Sequence, residues 1–149
     1  MDQSYAVENA RERQRLQTLI ASLSDEDLKR PLPNGWSVAI TLAHLAFWDR
    51  QRLAVLKQWE RAGVQPAPAD ADTINEGVHL LAADIPPRRA AQLAIEAAEA
   101  IDQALEHMSA DLMTAIEAGG QSRILRRSMH RRAHLDQIDA AMRRKPTAG

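Results

Sequence analysis

The sequence predicts an all-α protein, a four-helix bundle. Three observations predict it. Glycine is scarce, with 6 among 149 residues, and no run alternates β-branched and polar side chains as a strand would. Apolar residues recur instead at helical spacing. Proline- and glycine-bearing breaks then cut the chain into lengths of which four are substantial helices. Helices with one apolar stripe each bury those stripes around a shared core. No repeat, low-complexity tract or second domain interrupts the pattern, so residues 1–149 are read as one domain.

Leu16, Leu19, Ile20 and Leu23 fall at i, i+3, i+4 and i+7, giving a first helix over about residues 5–22. Ser24 followed by Asp25, Glu26 and Asp27 reads as an N-cap with an acidic first turn. An acceptor oxygen and negative charge both answer the free N–H groups there, which predicts a short helix over 25–30. Pro31, Pro33, Asn34 and Gly35 break the chain. Ser37 then caps a long second helix ending near Arg61, with Trp36 packed over its start. Gly63, Pro66 and Pro68 make a linker. Asp72 or Thr73 opens a third helical stretch to about Ala83. Pro86 and Pro87 interrupt it, and Pro87 suits a helix's first turn, where its missing N–H has no partner to lose. Ala94, Ala97, Ala98, Ile101, Leu105, Met108 and Leu112 trace one face up to a stop at Gly119 and Gly120. The last helix is predicted from Gln121 to Arg144, with a stripe of Ile124, Ser128, Leu135, Ile138 and Met142. Lys145 to Gly149 is read as a frayed tail.

Composition excludes several function classes. The chain is 45% hydrophobic and 26% charged, which excludes wholesale disorder. It has no cysteine, so disulfides, thiolate nucleophiles and cysteine-based zinc sites are excluded. No apolar run approaches the ~20 residues of a membrane span, and the first residues lack the apolar core of a signal peptide, so a cytoplasmic protein is expected. The net charge is −1, but it is uneven: residues 121–149 carry +6 and the rest −7. A basic helix packed across an acidic one gives such a split, as does an anion site. Nucleic-acid binding through the arginine-rich last helix is disfavoured, because its apolar stripe must face the core and the rest of the chain is acidic.

Five histidines carry the chemistry. His130 and His134 form H-x-x-x-H. On a helix, positions i and i+4 lie ~40° apart and one turn along, so both imidazoles leave the same side and can chelate one transition metal. An exposed pair on a basic helix has the same spacing. Arg131 and Arg132 stand between them, so the glutamate base of H-E-x-x-H, and with it a zincin protease, is excluded. His44 lies among Ile40, Thr41, Leu45, Phe47 and Trp48, either as a hydrogen-bonded core group or as a buried ligand. His107 suits the C-terminus of its helix, and His79 sits near a helix end.

The stretch from Asn34 through Gly35, Trp36, Ser37 and Val38, followed by His44, Leu45, Ala46, Phe47, Trp48 and Asp49, resembles the second-helix signature of the DinB-like superfamily. That group includes YfiT-type proteins and the N-terminal domain of mycothiol-dependent maleylpyruvate isomerase. The late His130 and His134 match the second half of the pattern, and the resemblance covers roughly residues 5–144. It implies a bundle with an up-down-down-up connection, a homodimer, and a divalent metal, commonly zinc or nickel, held by His44, His130 and His134. The additional C-terminal domain of the isomerases is lacking, so their reaction is not carried over.

A histidine-bound divalent ion lowers the pKa of bound water or thiol and polarises carbonyls, which suits hydrolysis of a small molecule or transfer of a low-molecular-weight thiol. Arg127 and Arg131 are the expected cofactor-binding cations, with Arg131 at the pocket rim, beside the simpler reading of a solvated or ion-paired helix face. Glu76 is the candidate general base. Asp49 is ~140° round the helix from His44 and is read as an ion-pair partner. With three Trp, one Tyr and one Phe, little material is expected for a large flat substrate, and Trp36 and Trp48 are read as packing residues. The alternative function is a non-catalytic bundle that binds a small molecule in stress or self-protection.

Overall fold

The computed structural model describes residues 3–66 and 71–144. Among these are seven α-helices: α1 (Ser4–Ser22), α2 (Asp25–Lys29), α3 (Val38–Ala62), α4 (Ala71–Ala82), α5 (Pro87–His107), α6 (Ala110–Ala118) and α7 (Arg127–Arg143). A 3-10 turn, Ser122–Leu125, precedes α7. The linker proline Pro68 and the tail Lys145–Gly149 lie outside the described residues.

Local chemistry sets most boundaries. Ser24 Oγ accepts from the Asp27 N–H at 3.1 Å, and Asp27 returns a bond to the Ser24 N–H at 3.0 Å, closing a capping box at α2. Ser37 Oγ accepts from the Ile40 N–H at 3.0 Å and starts α3. Gly63 ends α3 at φ +87°, a conformation that glycine adopts without a Cβ clash. Two expectations are corrected. The face from Ala94 to Leu112 is not one helix, because Ser109 Oγ accepts from the Leu112 N–H at 3.1 Å and opens α6. The last helix begins at Arg127 rather than Gln121. There the buried Asn9 of α1 donates to the Leu125 carbonyl at 2.7 Å and accepts from the Ser128 N–H at 2.8 Å, replacing the helical partners of both.

The long helices α1, α3, α5 and α7 form the bundle. Their main contacts run α1 to α7, α7 to α3, α3 to α5 and α5 to α1, a closed circuit of four. Asn9, Glu12 and Arg15 meet Ser128, Arg132 and Asp139 in rising order, so α1 and α7 run the same way. Arg13 and Gln17 meet Asp102 and Glu99 in falling order, so α5 opposes α1. His44 meets His130, while Asp49 meets Arg127, so α3 opposes α7. By these pairings α1 and α7 run one way and α3 and α5 the other.

The core is divided. One apolar cluster holds Leu16, Ile20, Leu42, Leu45, Ala94, Leu135 and Ile138; the other holds Tyr5, Leu56, Trp59, Ile101, Leu105 and Ile124. Between them lies buried charge. Arg131, 1% exposed, makes a bidentate fork on Asp102 at 2.8 and 2.8 Å, reaches Asp49 at 3.2 Å and donates to the Asn9 carbonyl at 3.1 Å. Arg127 joins Asp49 at 2.8 Å, and Arg13 joins Asp102 at 2.7 Å. All four long helices therefore meet in one ionic layer. Burial alone would lower the Arg131 pKa, but Asp49 and Asp102 more than offset this and hold it charged.

Replacing Arg131 by Met leaves Asp49 and Asp102 buried without their shared cation. A loss of about 3–5 kcal/mol is expected, against under ~0.5 kcal/mol for exposed Arg143→Ala. Urea unfolding followed by circular dichroism measures both.

Candidate functional site

His44 projects from the second turn of α3, and His130 and His134 from the first turns of the antiparallel α7. Their rings meet, with centroids 5.0 Å apart for His44 and His130, 4.7 Å for His44 and His134, and 4.8 Å for His130 and His134. Each ring offers one nitrogen, and the three nitrogens lie within 4.8 Å of one another. The Nε2 atoms of His44 and His130 are 3.1 Å apart. Two imidazole nitrogens on one zinc ion, each at ~2.0–2.1 Å, stand ~3.0–3.4 Å apart, so this spacing fits a shared ion.

The electrostatics favour neutral rings. Burial, then the neighbouring His134, pushes the His44 pKa down to about 4. Burial, then His134, Arg127, His44 and Arg52, pushes His130 down to about 2. Burial lowers His134 as well, although its bond to Gln137 opposes this. Neutral imidazole is the ligating form, so the three lone pairs need no proton removed at neutral pH. His134 Nδ1 lies 3.0 Å from Gln137 Oε1, so that nitrogen donates and Nε2 carries the lone pair. His44 and His130 have buried Nδ1 atoms without a hydrogen-bond partner among the described residues. Packing orients them instead: the Trp36 ring lies 4.9 Å from that of His44. The donor set fits a divalent cation, and the group can hold one.

The histidines stand at the wall of a cavity of about 740 Å³. One face of α3 supplies His44, Trp48, Arg52, Val55 and Trp59, at successive helical turns. The start of α7 supplies Arg127, Met129, His130 and His134. Trp36 enters from a loop folded back by the Pro31–Ser37 bridge, with the Leu32 N–H donating to the Trp36 carbonyl at 2.7 Å. Asn75 of α4 accepts the Trp48 indole N–H at 2.7 Å.

Several expected residues lie elsewhere. Arg131 does not reach the rim: one residue is ~100° of helix, which turns it from the His130 side into the ionic layer. Arg127 lines the cavity, but Asp49 engages its guanidinium. Glu76 is exposed and lines no part of the cavity, where α4 presents Asn75 instead. Asp49 pairs with Arg127 and Arg131, in line with its reading as an ion-pair partner. His107 donates from Nδ1 to the Gln103 carbonyl at 2.8 Å at the end of α5. His79 packs its ring 5.7 Å from Trp36, outside the histidine group.

All three tryptophans line the cavity, so there is more aromatic surface than the composition led one to expect. Trp59, Arg52 and Arg123 also face it, though the sequence did not single them out. The first two carried a signal in the sequence: from His44, the positions i+4, i+8, i+11 and i+15 mark a single helical face.

Asn75→Ala removes the acceptor of the Trp48 indole at the junction of α3 and α4. A loss of about 1 kcal/mol is expected, the usual net effect of one hydrogen bond beside a cavity that water can enter. Urea unfolding read by tryptophan fluorescence measures it.

A family model described as DinB superfamily matches residues 8–141, a span that includes all three histidines. Comparison with curated proteins and with solved structures gave no match. With nine-tenths of its length under that model, the chain belongs to the DinB superfamily.

Proposed function

We propose that the chain is a divalent-metal-dependent enzyme acting on a small molecule in the cavity, by hydrolysis or by transfer of a low-molecular-weight thiol. The observation that carries this reading is the convergence of three neutral imidazoles at the wall of a roomy cavity. When bound, the ion supplies Lewis acidity, lowering the pKa of water or thiol and polarising a carbonyl. Zinc and nickel are the ions proposed, since imidazole suits both.

The chain's own residues would do the rest. Gln137 holds His134 in one tautomer. Trp36 covers one side of His44 and keeps water from it. The Arg127–Asp49 pair anchors the first turn of α7, and with it the aim of His130. A homodimer in the cytoplasm completes the proposal, on resemblance alone for the dimer; light scattering after size-exclusion chromatography tests that part.

One observation favours the second reading, a binding bundle without chemistry. Among the described residues, no aspartate or glutamate lines the cavity, so no carboxylate stands ready to move a proton.

Elemental mass spectrometry of tag-free protein separates the two. About one equivalent of zinc or nickel is expected in the parent, and less than about a tenth of that in the double variant H130A/H134A. Unfolding melts of the variant check that it is folded. Absence of metal from the parent after purification with added zinc and nickel would remove the enzyme reading and leave the binding bundle.

A further inference from the structure

The cavity has a cationic end that the histidine site does not use. Arg52 is eight residues beyond His44 on the same face of α3, and Arg123 faces the same cavity from the 3-10 turn. Other cations nearby are committed: Arg127 to Asp49, Arg126 to Glu8, and Arg131 to Asp49 and Asp102. Arg52 and Arg123 form no ion pair with any described residue. Arg52 donates only to the amide oxygen of Gln51, at 2.8 Å, and stacks its guanidinium 5.2 Å from the Trp48 ring centroid. Burial, then Arg127 and Arg123, lowers the Arg52 pKa, with Asp49 opposing. The guanidiniums are therefore close enough to repel one another.

Arg52, half-buried, and Arg123, exposed, repel one another with no carboxylate among the described residues of the cavity wall, which makes a site for an anion from outside. A guanidinium fork matches the oxygens of a carboxylate or phosphonate group. Between that end and the histidines lies apolar surface, with Trp48 one turn from His44 and one turn from Arg52. The distance along α3 from His44 to Arg52 is ~12 Å. We propose that Arg52 and Arg123 form an anion subsite, and that the cavity takes an organic anion with a flat apolar body. Its head group lies on the two arginines, its body on Trp48, and its far end points to the histidines. As a binding site this stands on the arginines alone; as the substrate class it rests on the metal-enzyme reading.

Benzoate and phenylphosphonate are the probes, with benzamide as the neutral match of benzoate. All are too short to span from Arg52 to His44. Calorimetric titration of the protein as purified, and again after EDTA treatment, reads the affinities. Both anions are expected to bind about 10-fold or more tighter than benzamide, with or without EDTA treatment. R52Q and R123Q should each weaken the anions about 3- to 10-fold and leave benzamide unchanged, while R52K keeps part of the preference. Neither side chain is ion-paired to a described residue, and thermal melts confirm that the variants fold. Equal binding of benzoate and benzamide, or no binding of either anion, would overturn the subsite. So would a preference that survives in R52Q/R123Q. A preference lost to EDTA but untouched by the arginine variants would also overturn it, while supporting a metal at the histidines. An arginine-dependent preference in a protein that takes up no metal would uphold the subsite and sink the enzyme reading.

Discussion

The fork of Arg131 on Asp102 is the contact on which the rest of the molecule depends. Its polar bonds join side chains or backbone of α1, α3, α5 and α7, through Asn9, Asp49, Asp102 and Arg131 itself. Two apolar clusters lie on either side of it, and apolar packing tolerates a helix that slides or rolls by a fraction of a turn. A bidentate guanidinium does not, because its two bonds share one plane and one separation. Well-packed apolar residues could make such a layer as stable or more so, since desolvating the charges offsets much of their attraction. The gain from the ionic layer is therefore registry: it sets the rotation and height of α7 against its three neighbours.

That registry is what aims the histidines. Arg131 sits directly after His130 and three residues before His134, so fixing Arg131 toward α5 turns both imidazoles toward α3. On α3 the same logic holds in reverse. Asp49 points into the ionic layer, and His44, five residues earlier, is thereby directed to the other side. Arg127 belongs to both regions, since it pairs with Asp49 and also forms part of the cavity wall. Structural charge and site geometry are thus one arrangement.

This division of labour explains what could be read in the sequence. Features that act within a few residues were legible: the caps at Ser37 and Ser24, and the same-side projection of His130 and His134. The charge split was legible in kind, since the basic last helix and the residue before it do pack across acidic neighbours, through Arg132 with Glu12 and Arg126 with Glu8. Features that depend on a distant residue were not. The break before α7 depends on Asn9, more than a hundred positions away. Arg127 and Arg131 share a helix face by spacing, yet the two carboxylates that engage them come from α3 and α5. Which arginine is committed and which is free is a tertiary fact. The stripe from His44 to Trp59 lay within one helix and was readable in principle, but a histidine, two tryptophans and an arginine resemble an ordinary core edge until a cavity is seen beside them.

The charges around the cavity also constrain its chemistry. With His44 pushed down to about 4 and His130 to about 2, the free imidazoles are weak bases at neutral pH. Among the described residues no carboxylate lines the wall to take their place, Glu76 being turned to solvent. The chain by itself is poor at accepting a proton and well suited to stabilising negative charge. Arg52 and Arg127, which depress His130, equally oppose any cation placed among the three rings. An anion seated on the arginines would relieve that opposition, so anion and cation would each favour the other's binding. By linkage the two effects must be equal in free energy.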